Sequence, residues 1–129
     1  MKEYLVDTNI FLEVILGQEK KESCKNFLNT HIGHLHITDF SLHSIGVILL
    51  NNDRPSVFDI FLRDIFPQVS LISLSQKRYH EITNISEKYN LDFDDSYQTC
   101  IAKTNQLEIV TMDKDFRSVS ADIPVRWIN

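Results

Sequence analysis

The sequence predicts an α/β fold on a mainly parallel sheet. Short apolar runs of strand length alternate along the chain with longer segments whose apolar residues fall at helical spacing. Only three Gly and three Pro occur in 129 residues, which argues for regular elements joined by short connections.

Residues 4–7, YLVD, read as a short buried strand that ends at a carboxylate. The following TNIFLEVILG places Ile10, Phe11, Val14 and Ile15 at helical spacing, with Gly17 as a stop. QEKKESCKNFLNTH is a second helix, charged on one face, with Cys24, Phe27 and Leu28 on the other. HLHIT (34–38) is a second strand, and DFSLHSIGVILLNN is a third, largely buried helix with Asp39 as its N-cap. Asp53 and Pro55 open a fourth helix through SVFDIFLRDIF, which Pro67 ends. VSLISL (69–74) is a β-branched strand. Ser75 caps a fifth helix, SQKRYHEITNISEKY, with Tyr79, Ile82, Ser86 and Tyr89 marking one face. FDDSYQTCIAKTNQ is a sixth helix, with Phe93, Tyr97, Cys100 and Ile101 inward. LEIVTMD (107–113) is a fourth strand with a polar end, and VRWIN a last edge strand.

A single domain over residues 1–129 is expected, long enough to bury a core without disulfides or a structural metal. Cys24 and Cys100 are too few and too far apart for a zinc cluster or disulfide framework, and read as reduced core residues. No stretch approaches the ~20 apolar residues of a membrane span, and MKEYLVD lacks the apolar segment of a signal peptide. A cytoplasmic address and no membrane partner are expected. The net charge of −5 does not advertise a nucleic-acid binder, since such domains are usually basic. A metal-dependent nuclease is compatible with it, because a bound cation inverts the field of an acidic site.

Ligands of parallel α/β sheets bind beyond the carboxyl ends of the strands. Asp7 ends the first strand, Thr111 and Asp113 end the fourth, and Asp115 follows. Asp92, Asp94 and Asp95 crowd the start of the sixth helix. Each group alone has an ordinary explanation, since Asp favours helix starts and turns. Three acids in one helix start exceed what capping needs, and they repel one another unless a cation or exposure relieves them. Carboxylates from two strand ends and one helix start form a set able to converge on Mg²⁺ or Mn²⁺, which prefer oxygen ligands. Two such ions about 4 Å apart activate water and steady the leaving oxygen in phosphodiester hydrolysis. His31, His34 and His36 lie near the second strand without zinc spacing or a supporting Cys, and read as surface or edge residues. No Gly-rich phosphate loop or GxSxG motif occurs.

The motifs LVDTNIFLE, DDSYQTCIA and IVTMDKDF, in this order and at this separation, resemble the PIN-domain family of nucleases over essentially the whole chain. Within that family the chain looks most like a free-standing toxin of the VapC type. The resemblance implies a three-layer α/β/α sandwich around a central, mainly parallel sheet of four or five strands. It implies a Mg²⁺- or Mn²⁺-dependent single-strand endoribonuclease, the toxin of a toxin–antitoxin pair. Carried over residue by residue, Asp7, Asp95 and Asp113 match the family's acids and are the expected catalytic and metal-binding residues. Asn9 and Thr111 match supporting positions, and Asp115 is an additional outer acid. The implied partners are single-stranded RNA, a small antitoxin and a second copy in a homodimer. Lys103, Lys114 and Arg117 are the cations expected to meet the RNA backbone.

One position departs from the family pattern. A Glu is usual in the third helix, and the corresponding position here falls at Ser44, in a helix that contains no Glu. Asp39, five residues earlier, is turned about 140° round the helix. Ser44 or His43 would hold water or metal less strongly than a carboxylate. Two readings follow: a nuclease working with three acids, or a catalytically weak or inactive PIN module that binds RNA or a protein partner. The apolar stretches SIGVILL and VFDIFLRDIF exceed one helix face, so core and interface are both open to them.

Overall fold

Among residues 2–129, which a computed structural model describes, the alternating runs become five strands and six α-helices. The strands are β1 (Tyr4–Val6), β2 (Leu35–Thr38), β3 (Ser70–Ile72), β4 (Glu108–Thr111) and β5 (Val125–Trp127). They form one sheet in the order β3-β2-β1-β4-β5, and every adjacent pair is parallel. The edge strand expected at VRWIN is therefore the fifth. The helices are α1 (Thr8–Ile15), α2 (Lys21–Thr30), α3 (Asp39–Asn51), α4 (Pro55–Asp64), α5 (Glu81–Tyr89) and α6 (Phe93–Asn105).

Successive strand residues point to opposite faces, and both faces are covered. Val6, Ile37 and Val110 pack with Ile10, Phe11, Cys24, Leu28, Ile45, Leu49 and Phe61, which brings α1 to α4 onto one side. Leu5 and Ile109 pack with Ile82, Ile85, Tyr89, Tyr97 and Ile101 of α5 and α6 on the other. This is the three-layer α/β/α sandwich. Cys24 and Cys100 are free and buried in the two cores.

Several element ends differ from the sequence reading. Thr38, not Asp39, caps α3: its backbone is still extended and its Oγ1 accepts the Ser41 N–H at 2.9 Å. Asp39 is already helical, and its Oδ1 accepts the Tyr97 hydroxyl at 2.7 Å. The fifth helix starts late, because Gln76–Arg78 form a 3₁₀ turn and the Ser75 side chain caps nothing. That break takes Tyr79 off the helical face and leaves it 45% exposed, while Ile82, Ile85 and Tyr89 are buried. Phe93, expected inward, is 53% exposed as the first residue of α6. Pro67 lies in a 3₁₀ turn at 66–68, and α4 has already ended at Asp64.

From β1 the chain moves one way to β2 and β3, then returns to place β4 on the other side of β1. The carboxyl ends of β1 and β4 are thus neighbours where the winding reverses, the position at which such sheets bind ligands.

Candidate functional site

Asp7 stands where β1 hands over to α1. Its backbone N–H still bonds Val110 of β4 at 2.9 Å, and its side chain already caps α1. The carboxylate is 6% exposed, and three donors hold it. Oδ1 accepts the Thr8 N–H and the Gln98 Nε2–H, each at 2.8 Å; Oδ2 accepts the Thr111 hydroxyl at 2.7 Å. Thr111 Oγ1 in turn accepts the Asp113 N–H at 2.9 Å. One buried hydroxyl therefore keys the end of β4 to the end of β1. Beyond it, Asp113 Oδ1 accepts the Asp115 N–H at 2.9 Å, and the Asp113 carbonyl accepts the Trp127 indole N–H at 3.1 Å.

Asp95 reaches the same corner from the first turn of α6, where Asp92 Oδ1 caps the helix by accepting the Asp95 N–H at 3.3 Å. Asp95 is 6% exposed and is shared by two acidic groups. Carboxylate oxygens of Asp95, Asp113 and Asp115 lie within 4.8 Å of one another, and so do those of Asp92, Asp94 and Asp95. Among the described residues, no Lys, Arg or His forms an ion pair with any of these acids or with Asp7.

Uncompensated charge shows in the proton affinities. Burial first, then the charges of Asp94, Asp7, Asp92 and Asp113, push the Asp95 carboxyl up to about 8. Burial also raises Asp7, against its three hydrogen-bond donors. Burial and Asp92 push Asp94 up to about 6. The hydrogen bond from the Asp94 side chain holds Asp92 below the usual carboxylate range. An all-oxygen donor set of this kind suits a hard divalent cation. Two amide oxygens add to the fit: Asn9 Oδ1, in the first turn of α1, and Gln98 Oε1 are buried and accept no hydrogen bond.

The other sequence candidates divide. Lys114 and Arg117 are exposed on the 3₁₀ turn that follows Asp113. Lys103 stands in the last turn of α6, about 12 Å along the axis from Asp95, and borders a groove with Asp122 and Ile123. Ser44 is half-buried on α3, beside Phe40, Val47 and Ile48, and hydrogen-bonds none of the acids. Asp39 Oδ1 is occupied by the Tyr97 hydroxyl. His34 and His36 both bond Glu3 at the opposite, amino end of β1 and β2. Gln98 was not legible as a site residue. Its signal is weak but physical: a long polar side chain one turn after Asp95, on a stretch of α6 that is otherwise mostly apolar and turned inward.

A parallel α/β sheet with acids gathered from two adjacent strand ends and one helix start defines the class of protein. The PIN-domain model matches residues 4–122, and the chain belongs to the PIN-domain family. No curated protein matches it. Solved structures share the fold at low identity. VapBC2 from Rickettsia felis, bound to a DNA fragment from their promoter, aligns with TM-score 0.75 at 20% identity over 98% of both chains. A toxin–antitoxin complex from Klebsiella pneumoniae aligns with TM-score 0.74 at 21% identity, over 89% of this chain and 91% of the other. FitAcB from Neisseria gonorrhoeae aligns with TM-score 0.68 at 20% identity, over 95% and 96%.

Proposed function

We propose that this chain is a Mg²⁺- or Mn²⁺-dependent endoribonuclease that cuts single-stranded RNA, the toxin of a toxin–antitoxin pair, acting in the cytoplasm. The observation that carries the reading is the uncompensated acidic corner: Asp95, Asp113 and Asp115 bring carboxylate oxygens within 4.8 Å of one another, and the charge of the buried Asp7 acts on Asp95 beside them. Asp7, Asp95 and Asp113 are the residues that would hold the cation. A bound divalent ion supplies Lewis acidity, making water more acidic and neutralising phosphate charge.

The protein groups do the rest. Thr8, Gln98 and Thr111 donate to Asp7, oppose the effect of its burial and hold it in one orientation. Thr111 also fixes the backbone that presents Asp113. Asp95 would have to give up its proton to hold a cation, since the two compete for the same oxygens. Asp115 lies at the outer edge, and Asn9 offers a neutral oxygen. The exposed Phe93 ring, 5.8 Å from Phe40 and stacked on Tyr97, offers bases a surface, which favours single strands. Lys114 and Arg117 supply phosphate contacts.

An antitoxin is the proposed protein partner, because the solved structures of this fold include toxin–antitoxin complexes. The exposed Val47 and Leu50, over a groove of about 600 Å³ between α3 and α4, support a protein interface, either with that partner or in a homodimer.

Cleavage of a mixed single-stranded RNA with Mg²⁺, Mn²⁺ or EDTA, beside Asp95→Asn, tests the reading. Metal-dependent cutting that the variant loses supports it. The absence of a Glu from α3, whose one acid, Asp39, is occupied by Tyr97, favours one alternative, a PIN module that binds RNA without cutting. Binding without cleavage by the folded chain in either metal would establish that alternative.

A further inference from the structure

We infer that Gln98 is a member of the cation centre, supplying through Oε1 the oxygen ligand that a third-helix carboxylate would otherwise provide. This rests on the metal-centre reading above. Gln98 is 2% exposed, and its amide lies against Asp7, with Nε2 donating to Asp7 Oδ1 at 2.8 Å. That bond fixes the amide orientation, because the reverse would set an amide oxygen against a carboxylate oxygen. Oε1 is then left buried at the acidic corner with no hydrogen-bond donor. A buried amide oxygen without a partner is unfavourable, and a hard cation or its water relieves that. Carbonyl oxygens of this type are ordinary ligands for such ions.

The placement follows from helix geometry. Gln98 is three residues after Asp95 on α6, so the two side chains leave neighbouring positions on one face, and Gln98 reaches Asp7. A neutral ligand also suits a corner whose acids already raise one another's proton affinity, since a further carboxylate adds repulsion in the metal-free state. Ser44, the residue at the expected acidic position, hydrogen-bonds none of these acids.

The test is Mn²⁺ affinity by calorimetry, repeated with Mg²⁺ followed by fluorescence of Trp127, whose indole bonds the Asp113 carbonyl. Circular dichroism checks the fold of each variant. Gln98→Met, which keeps length and removes the oxygen, is expected to weaken Mn²⁺ binding at least tenfold. Gln98→Glu is expected to strengthen it at least tenfold, because a charged oxygen replaces a neutral one on the ion. A residue that only braced Asp7 gives the opposite result for Gln98→Glu, since two carboxylates would then be forced together. Folded variants with Gln98→Met unchanged, or Gln98→Glu weaker than the parent, overturn the assignment of Gln98 alone. A parent chain that binds neither ion overturns the metal-centre reading and this inference with it.

Discussion

Asp95 is the residue with the most distinctive expected behaviour. In the folded, metal-free chain it keeps its proton up to about pH 8, whereas an unfolded Asp loses it near 4. Between those limits the folded state binds more protons, so raising the pH destabilises it, and above pH 8 the penalty is complete. Asp95→Asn removes the penalty. In EDTA the variant is expected to melt above the parent, by a margin that grows from about pH 4 to pH 8; an equal margin at all pH values would refute the assignment. The same proton must leave before a cation binds, so Mn²⁺ affinity should climb toward a plateau as pH passes 8. Thr111 matters differently. It is fully buried and satisfies both Asp7 and the Asp113 N–H. Thr111→Val removes the donor to Asp7 Oδ2 and the acceptor of the Asp113 N–H and should cost about 2–4 kcal/mol in urea unfolding, while Thr111→Ser should retain most of the stability.

At the scale of elements, the helix ends offer sharper tests than the strands. Thr38 is fully buried and caps α3, so Thr38→Ala is expected to cost about 1–2 kcal/mol. Gln106 closes α6 in a left-handed conformation with φ 57°. An L side chain is strained there, and Gln106→Gly should stabilise by about 0.5–1 kcal/mol with an unchanged denaturant slope. Helix starts also explain which expectations failed. Thr38 and Asp39 are adjacent good caps, and only the extended backbone at Thr38 decides between them. The 3₁₀ turn at Gln76–Arg78 shifts the phase of everything before Glu81, so a spacing count begun at Ser75 assigned Tyr79 to the wrong face.

Over the whole molecule, the two cores share one sheet, with Leu5 and Val6 facing opposite ways from adjacent positions in β1. Neither core can lose its strands without exposing the other. Far-UV circular dichroism and Trp127 fluorescence are therefore expected to report one coincident transition, and separated midpoints would indicate two folding units. Saturating Mg²⁺ should raise that midpoint, because an ion that binds only the folded chain stabilises it by mass action. Among the described residues, no helix is long and apolar enough to cross a membrane.

Sequence alone determined the class of fold, because strand and helix periods are local and each apolar run announces its own length. It also marked Asp7, Asp95 and Asp113 as candidates, since strand ends and helix starts are local features and the motif order resembles one family. Tertiary structure decided what those acids experience. Asp7 and Thr111 are 104 positions apart and meet only because β4 pairs with β1. Gln98 reads as an unremarkable helix residue until α6 lays it against Asp7. The raised proton affinity of Asp95 needs burial and the charges of Asp7 and Asp113, distant in sequence, added to those of its neighbours Asp92 and Asp94. Long-range contacts and desolvation are properties of the assembled fold, and no window along the chain contains them.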